Sequence, residues 1–351
     1  MTELHRYEAP SNNMPYCFEG KTADSAWRQA ADVFWKTKEW TKQRSQHGVT
    51  RELLHASFHI HEPRHRWVLS RHPGINPAFA IAEAFWILAG RRDAKLVNYW
   101  NRRLPALLGR HKTYHGAYGS RLRNSFGFDQ LERAYQALDR NPESRQIVLA
   151  IWNPGADFPS RNGSAVSRDV PCNVCSLLKV RNGRLEWTQI MRSNDLCLGT
   201  PHNFVQFTVL QEIVAGWLQV EVGAYFHVSD SLHVYEKDTK TFSSMTKPTL
   251  VRSADSLGLS KGQSDKTLVK VIEKLEALSS HNLSRQGLRA ICASQDVPSG
   301  YRNLILIAAA DSARRRAWYG DMDHAADECA NPALSLAWER WRLRHIRGGE
   351  R

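Results

Sequence analysis

The sequence predicts an α+β fold, and three observations predict it. Strand-like and helical runs are both present, but they do not alternate regularly as a doubly wound parallel sheet would require. Asn182-Gly183 stands between the strand-like runs 174–180 and 184–191, and Asn-Gly in that setting is the strongest short-range hairpin signal. Residues 203–218 are a long apolar run of helical length, which places a helix in the middle of the core.

The other elements follow in chain order. Residues 22–43 read as a helix with Trp27, Val33, Phe34 and Trp40 as its apolar positions. A turn at Gln46-His47-Gly48 leads into a strand over 51–60. Residues 77–88 form a strongly apolar helix that contains one acid, Glu83. An amphipathic helix is expected over 128–139 and a buried strand, rich in Ile, Val and Leu, over 146–152. Residues 224–228 and 303–308 read as strands. Residues 311–351 read as helical and basic, with Trp318, Trp338 and Trp341 as anchors. The expected organisation is a catalytic domain over 1–310 and a basic helical extension over 311–351.

With 351 residues, 42% of them hydrophobic, the chain can bury one large core. It has no apolar run of 18 residues, and the segment Met-Thr-Glu-Leu-His-Arg-Tyr-Glu has no apolar signal region. Six dispersed cysteines are too few for a disulfide scaffold at this length, which fits a reducing, cytoplasmic setting. The net charge of +13 suits nucleic acid, a membrane surface, or small polyanions such as a nucleotide phosphate. Much of the excess sits in Arg314-Arg315-Arg316 and residues 340–351. No RNA-binding aromatic signature or zinc-finger spacing accompanies it, so nucleic acid is disfavoured.

The chemistry concentrates between Pro171 and Tyr235. Cys172 follows a proline and precedes a strand-like run, where a thiolate could serve as nucleophile. The competing readings are a buried structural cysteine, or half of a zinc or redox pair with Cys175. No second Cys or His pair at zinc-like spacing accompanies it, so no metal is expected. On a strand, Cys172 and Cys175 would point to opposite faces, one to the site and one to the core. Arg192 and Ser193 suit phosphate oxygens, although Arg192 could equally pair with Asp195. Asn203 is either the N-cap of the long helix or an amide that matches uracil O4 and N3–H. His233 and Tyr235 alternate on a strand-like run and share a face, from which both could donate to sugar hydroxyls. Glu83, if it faces inward, has the raised pKa of a proton shuttle; at a helix edge it would be an ordinary acid.

The ordered set resembles the thymidylate synthases and related pyrimidine-nucleotide hydroxymethylases. It comprises Glu83, Gly116-Ala117-Tyr118-Gly119, Ser144-Arg145, Trp152-Asn153, Cys172, Arg192, Ser193, Asp195, Asn203, His233 and Tyr235, spread over roughly residues 44–240. The resemblance implies a mixed β-sheet with a central helix and flanking helices, and a homodimer packed through its sheets. It implies a pyrimidine nucleoside monophosphate and 5,10-methylenetetrahydrofolate as substrates, with no metal. Cys172 is then the nucleophile at C6 of the base, Glu83 manages protons, and Tyr118 lines the cavity. Asn203 reads the base. Arg192, Ser193, Arg44 and a partner's Arg145 hold phosphate, and His233 and Tyr235 hold the sugar. Asp195, Leu198, Gly199 and His202 meet the folate.

Several positions depart from the familiar synthases. Asn173 stands where they have histidine, His202 where they have an aromatic residue, and Gln146 where they have the second of two arginines. Their tryptophan-rich folate segment is replaced by Asn98-Tyr-Trp-Asn-Arg-Arg-Leu, and the C-terminal residues are basic rather than apolar. A looser lid would admit water to the C5 methylene and favour a hydroxymethyl product over a methyl one. Asn203 favours uridylate. A cytidylate hydroxymethylase is the alternative within the family. A nucleotide- or nucleic-acid-binding regulator is the alternative outside catalysis.

Overall fold

A computed structural model describes residues 15–45, 48–108, 111–247, 251–253 and 255–346. The strands are β1 (Cys17–Gly20), β2 (Thr41–Ser45), β3 (Gly48–Ile60), β4 (Val148–Ala150), β5 (Asn173–Arg181), β6 (Arg184–Met191), β7 (Asn194–Asp195) and β8 (Glu221–Tyr235). They make one mixed sheet in the order β1-β3-β8-β6-β5-β4, with β2 paired to β3 and β7 to β8. Pairs β1–β3, β6–β8 and β7–β8 are parallel; the remaining pairs are antiparallel. The β5–β6 hairpin turns at Asn182 (φ 51°) and Gly183 (φ 70°), the two positive values that a two-residue turn of this twist requires.

The helices described are α1 (Ala23–Lys36), α2 (Pro77–Leu88), α3 (Ala94–Trp100), α4 (Pro105–Leu108), α5 (Tyr118–Arg123), α6 (Gln130–Arg140), α7 (Pro154–Asp157) and α8 (Gly199–Trp217). After β8 come α9 (Lys240–Ser243), α10 (Lys261–Ser279), α11 (Arg285–Ala293), α12 (Ser299–Arg315), α13 (Tyr319–Asp327) and α14 (Pro332–Ile346). No helix among the described residues is long and apolar enough to cross a membrane.

Helices α2 and α8 pack on each other, and α8 also lies on β6, β7 and β8. Asn76 caps α2 by accepting from Phe79 N at 3.2 Å, and Pro77 supplies the first helical residue. Every residue of α2 except Glu83 is buried. Helix α8 is apolar on nearly all sides, and Gln211 and Glu212 on it are tied down. Gln211 Nε2 donates to carbonyls of Leu185 at 2.9 Å and Ala224 at 3.0 Å, bracing the β6–β8 step. Glu212 pairs with Arg64 at 3.0 Å and with Arg66.

Several sequence expectations are revised. The helix expected over 22–43 stops at Lys36; Thr37 turns extended, and Thr41–Ser45 pairs with β3 as a strand. Gln46 and His47 of the expected turn lie outside the described residues, as do residues 347–351 of the basic C-terminal run. The strand expected over 146–152 is only β4. It lies at the sheet edge, with Val148 53% exposed. The strand at 224–228 extends to Glu221–Tyr235 and carries His233 and Tyr235. The strand expected over 303–308 is instead the middle of α12, because a short apolar run has no period that separates a strand from a buried helix. Helix α12 passes through residue 310 unbroken and packs on α2, and Trp338 and Trp341 of α14 are buried.

Candidate active site

The chain end of β8, the turn before α8 and the residues just before β5 come together, with Asp195 close enough to act on Cys172 and both close enough to act on Tyr235. Cys172 sits immediately before β5 and is partly accessible. Its carbonyl accepts from Arg192 N at 2.9 Å, while Arg192 Nε donates to Pro171 O at 2.9 Å. The guanidinium also stacks 5.3 Å over Trp152. The arginine is therefore fixed beside the thiol on an exposed rim. Burial pushes the Cys172 thiol up from its usual value; Arg192 opposes this, and Asp169 and Asp195 add to it. Cys175 lies past a bulge at the start of β5, half-exposed and not in the core as expected; only burial perturbs it.

Glu83 faces inward from α2 and accepts from Gln206 Nε2 of α8 at 2.5 Å. Burial raises its pKa to about 7, with Asp169 adding to the rise and the Gln206 bond opposing it. The helix-edge reading of Glu83 is thus excluded. Tyr118 opens α5 beside the thiol, and its phenol is pushed well up, first by burial and then by Cys172. Gln206 Oε1 is buried near these groups without a hydrogen-bond partner, and the Asn173 side chain lies against the Tyr118 phenol.

Asn203 is not the cap of α8, because the helix begins four residues earlier at Gly199. Its side chain is 6% exposed, and Nδ2 donates to Asn194 Oδ1 at 3.2 Å and approaches Met191 Sδ at 3.3 Å. Asn194 Nδ2 in turn lies 2.9 Å from His227 Nε2 and 3.0 Å from Ser229 Oγ. His227 Nδ1 is 2.8 Å from Tyr225 Oη. Burial lowers the His227 pKa to about 3, so its ring is neutral. With the Asn194 amide nitrogen engaged twice, its oxygen must face Asn203. Asn203 is thereby held with its nitrogen inward and its oxygen left for a ligand. Gly199 completes the fit: a Cβ there would lie 3.1 Å from Asn194 Oδ1.

Asp195 ties the same turn together. Its Oδ1 accepts from Cys197 N at 2.7 Å and Leu198 N at 3.2 Å, capping the approach to α8. Burial raises its pKa, opposed by neighbouring His233 and by these two amides. His233 is displaced downward by burial, opposed by Asp195. His233 and Tyr235 share a strand face with ring centroids 5.4 Å apart. Tyr235 is raised by burial. His202 Nδ1 bonds to Leu198 O at 2.8 Å, its ring packs 5.1 Å from Phe79, and its Nε2 is buried without a partner. Its pKa falls to about 4 through burial. Ser193 is half-buried directly beside Arg192. Leu198 is exposed at the rim. Arg44 is exposed on β2, the hairpin whose partner strand β3 meets Tyr235 at Thr50. Arg145 is exposed just before edge strand β4 and joins none of these contacts within one chain.

Among the described residues, one grouping has metal-ligand geometry, and it lies elsewhere. Ligand atoms of Glu19, His59 and His61 come within 4.8 Å of one another at the β1–β3 edge. His59 pairs with Phe226, at the other end of β3 and β8 from Tyr235.

The thymidylate synthase family profile matches residues 29–276. The chain belongs to the thymidylate synthase family. Known proteins similar to it include a deoxyuridylate hydroxymethyltransferase of Bacillus phage SP01, 36% identical over 199 residues, which are 54% of this chain and 51% of the phage protein. A deoxyuridylate hydroxymethyltransferase of Pseudomonas phage M6 is 39% identical over 164 residues, 46% of this chain and 45% of that protein. A putative thymidylate synthase of Methanothermobacter thermautotrophicus is 37% identical over 134 residues, 38% of this chain and 57% of that protein. The chain spans about half the length of the curated relatives it matches.

The fold brings Glu83, Tyr118, Cys172, Arg192, Asp195, His233 and Tyr235 into a chain of mutual electrostatic contacts, which Asn203 joins through Asn194, the neighbour of Asp195. Sequence reasoning missed Asp169, Asn194, Gln206 and His227. Gln206 and Asn194 had a readable signal: each is a polar residue beside a nominated one, in a segment otherwise destined for the core.

Proposed function

We propose that this protein is a folate-dependent C5 one-carbon transferase acting on a uridylate, with deoxyuridylate as the substrate and a 5-hydroxymethyl product. The observation that carries the base assignment is the fixed orientation of Asn203, whose free oxygen accepts from N3–H of uracil and meets only a lone pair at N3 of cytosine. The hydroxymethyl outcome is supported by three phage relatives, each named a deoxyuridylate hydroxymethyltransferase, and by the polar groups around Glu83.

In this reading Cys172 adds to C6, which turns C5 into an enolate carbon. Arg192 favours the thiolate in which the addition begins. Glu83, with a pKa near 7, exchanges a proton with O4 and C5. 5,10-Methylenetetrahydrofolate supplies the one-carbon unit. The unpaired His202 Nε2 and the Asp195 carboxylate offer it a polar seat at the α8 turn, with Leu198 and Gly199 forming the adjacent wall. Arg192 and Ser193 hold the phosphate, joined by Arg44 and by Arg145 from a second subunit. His233 and Tyr235 hold the sugar.

A homodimer completes the site in this reading. On one sheet face Ile190 and Val228 are only partly buried and Phe226 is 36% exposed. The test is incubation of the purified protein with methylenetetrahydrofolate and each of dUMP, UMP, dCMP and CMP. Hydroxymethyl-dUMP with tetrahydrofolate left unoxidised is the expected result. Methyl-dUMP with one dihydrofolate per turnover assigns the synthase reaction instead, and preference for dCMP overturns the role given to Asn203.

A further inference from the structure

We infer that Asp169 is a second catalytic carboxylate, the base that activates water for addition to the C5 methylene. This rests on the hydroxymethyl reading above and names the residue that makes it possible. Asp169 stands three residues before Cys172 on the loop that enters β5, and it is partly exposed. Its Oδ2 accepts from Gly116 N at 2.9 Å. That contact depends on glycine: a Cβ at Gly116 would fall 2.6 Å from the Asp169 carbonyl oxygen. The two loops are therefore locked together beside the segment that carries the thiol. His115, next to Gly116, lies 2.7 Å from Asp157 Oδ1, and Arg121 NH2 reaches the same oxygen at 2.8 Å, which braces the loop from behind.

Six titratable groups surround Asp169. Cys172, Glu83, Tyr118 and Tyr114 are each close enough to be raised by its charge, while His115 and Arg121 counter it. Among the described residues, Asp169 is thus the one carboxylate whose charge acts on both Cys172 and Glu83. Glu83 is engaged by Gln206, whereas the described hydrogen bonds of Asp169 come from the backbone of the 115–116 loop. The buried acceptor Gln206 Oε1 lies beside Glu83 without a partner, and the Asn173 side chain lies against the Tyr118 phenol. A small hydrogen-bond donor satisfies that acceptor, and water is such a molecule.

The step balances as follows. Asp169 takes a proton from water as the oxygen bonds to the exocyclic carbon. The C5 methylene π pair moves into the C4–O4 enolate. Collapse of that enolate restores the C5–C6 double bond and expels the Cys172 thiolate, and the proton on Asp169 passes to solvent. No oxidant or reductant is needed. The two carboxylates divide the work: Glu83 serves the base before the methylene forms, and Asp169 serves the water after it.

The experiment uses full-length protein, C5-tritiated dUMP and methylenetetrahydrofolate in single turnover. Tritium release reports loss of the C5 proton, which precedes the water step. Asp169→Asn should still release tritium within about tenfold of wild type, while hydroxymethyl nucleotide falls about 100-fold or more, the scale of a lost general base. The intact protein should then carry nucleotide and methylene on Cys172 by mass. Asp169→Glu keeps a carboxylate and should restore product to within about tenfold of wild type. Wild-type product formation by Asp169→Asn overturns the inference. So does parallel loss of tritium release and product in both variants with dUMP binding retained, since Asp169 would then act before the water. A wild-type protein that makes only methyl-dUMP fails the hydroxymethyl reading itself, a result visible before any variant is tested.

Discussion

Asn203→Asp tests the base-reading arrangement directly. The new carboxylate would face Asn194 Oδ1, which lies 3.2 Å from the present amide nitrogen. Asn194 cannot turn its amide to help without breaking its 2.9 Å contact to His227 and its 3.0 Å bond to Ser229. His227, which burial holds neutral with a pKa of about 3, has a single N–H, so it could donate to a turned Asn194 only by moving that proton to Nε2 and giving up donation toward Tyr225 Oη. A buried hydrogen bond lost in this way costs on the order of 1–3 kcal/mol. Two consequences follow. Stability should drop by roughly that amount, and the dUMP:dCMP ratio of kcat/KM should fall by about tenfold or more, since 1.4 kcal/mol is one decade. The assay pairs a denaturant melt with steady-state kinetics on both nucleotides. Asn194→Ala, which leaves Asn203 in place but unlocks it, should move the ratio the same way by a smaller factor. A folded Asn203→Asp protein whose ratio is unchanged refutes the reasoning, because the fixed amide would then have no part in choosing the base.

Three further outcomes are expected. Cys172→Ala should abolish turnover while retaining nucleotide binding, whereas Cys175→Ala should remain active; the reverse pattern, read by product mass, would reassign the nucleophile. Glu83 is raised to about 7 in the fold, so its neutral form stabilises fully below the unfolded value near 4.5, and that stabilisation is lost as pH rises through 7. Glu83→Gln should therefore gain roughly 2–3 kcal/mol relative to wild type between pH 5 and pH 8 in parallel urea melts, and a pH-independent difference would mean Glu83 is not held neutral. An inactive Arg145→Ala chain mixed with an inactive Cys172→Ala chain should recover part of the activity once heterodimer formation is verified; a verified heterodimer without activity rules out a shared site.

The parts of the fold that sequence made legible are those whose signal is local. Pro77–Leu88 reads as a helix because Asn76-Pro77 marks its start and every neighbour is apolar. The β5–β6 hairpin reads from Asn182-Gly183 because few other residue pairs accept two positive φ angles. The errors share one cause: pairing and packing decided what propensity could not. Residues 41–45 carry no apolar alternation, since the strand is exposed throughout and exists only because β3 offers it a ladder. Residues 303–308 have the composition of a buried strand, but the apolar run continues through Ala308-Ala309-Ala310 against α2, where a helix fits and a strand would have no partner.

The site divides along the same line. Cys172, Arg192, Asp195 and Asn203 stand close in sequence, so their intervals alone suggested a common surface. Asp169 and Asn194 stand just as close, yet neither was singled out, because their importance depends on groups distant in the chain: Gly116 for Asp169, and His227 for Asn194. A polar residue one to three positions from a nucleophile or a base reader is ordinary in sequence and costly in a core, since an unmatched buried carboxylate or amide is penalised by about 1–3 kcal/mol. Such a residue persists in a buried site only where the fold supplies a partner or the chemistry uses it. For Asn194 the fold supplies three partners, so its role is to position Asn203. For Asp169 the described hydrogen bonds come from the backbone of residues 115–116, and its charge acts on both the thiol and Glu83. That difference, more than proximity, is why one residue is assigned to holding the base and the other to moving a proton.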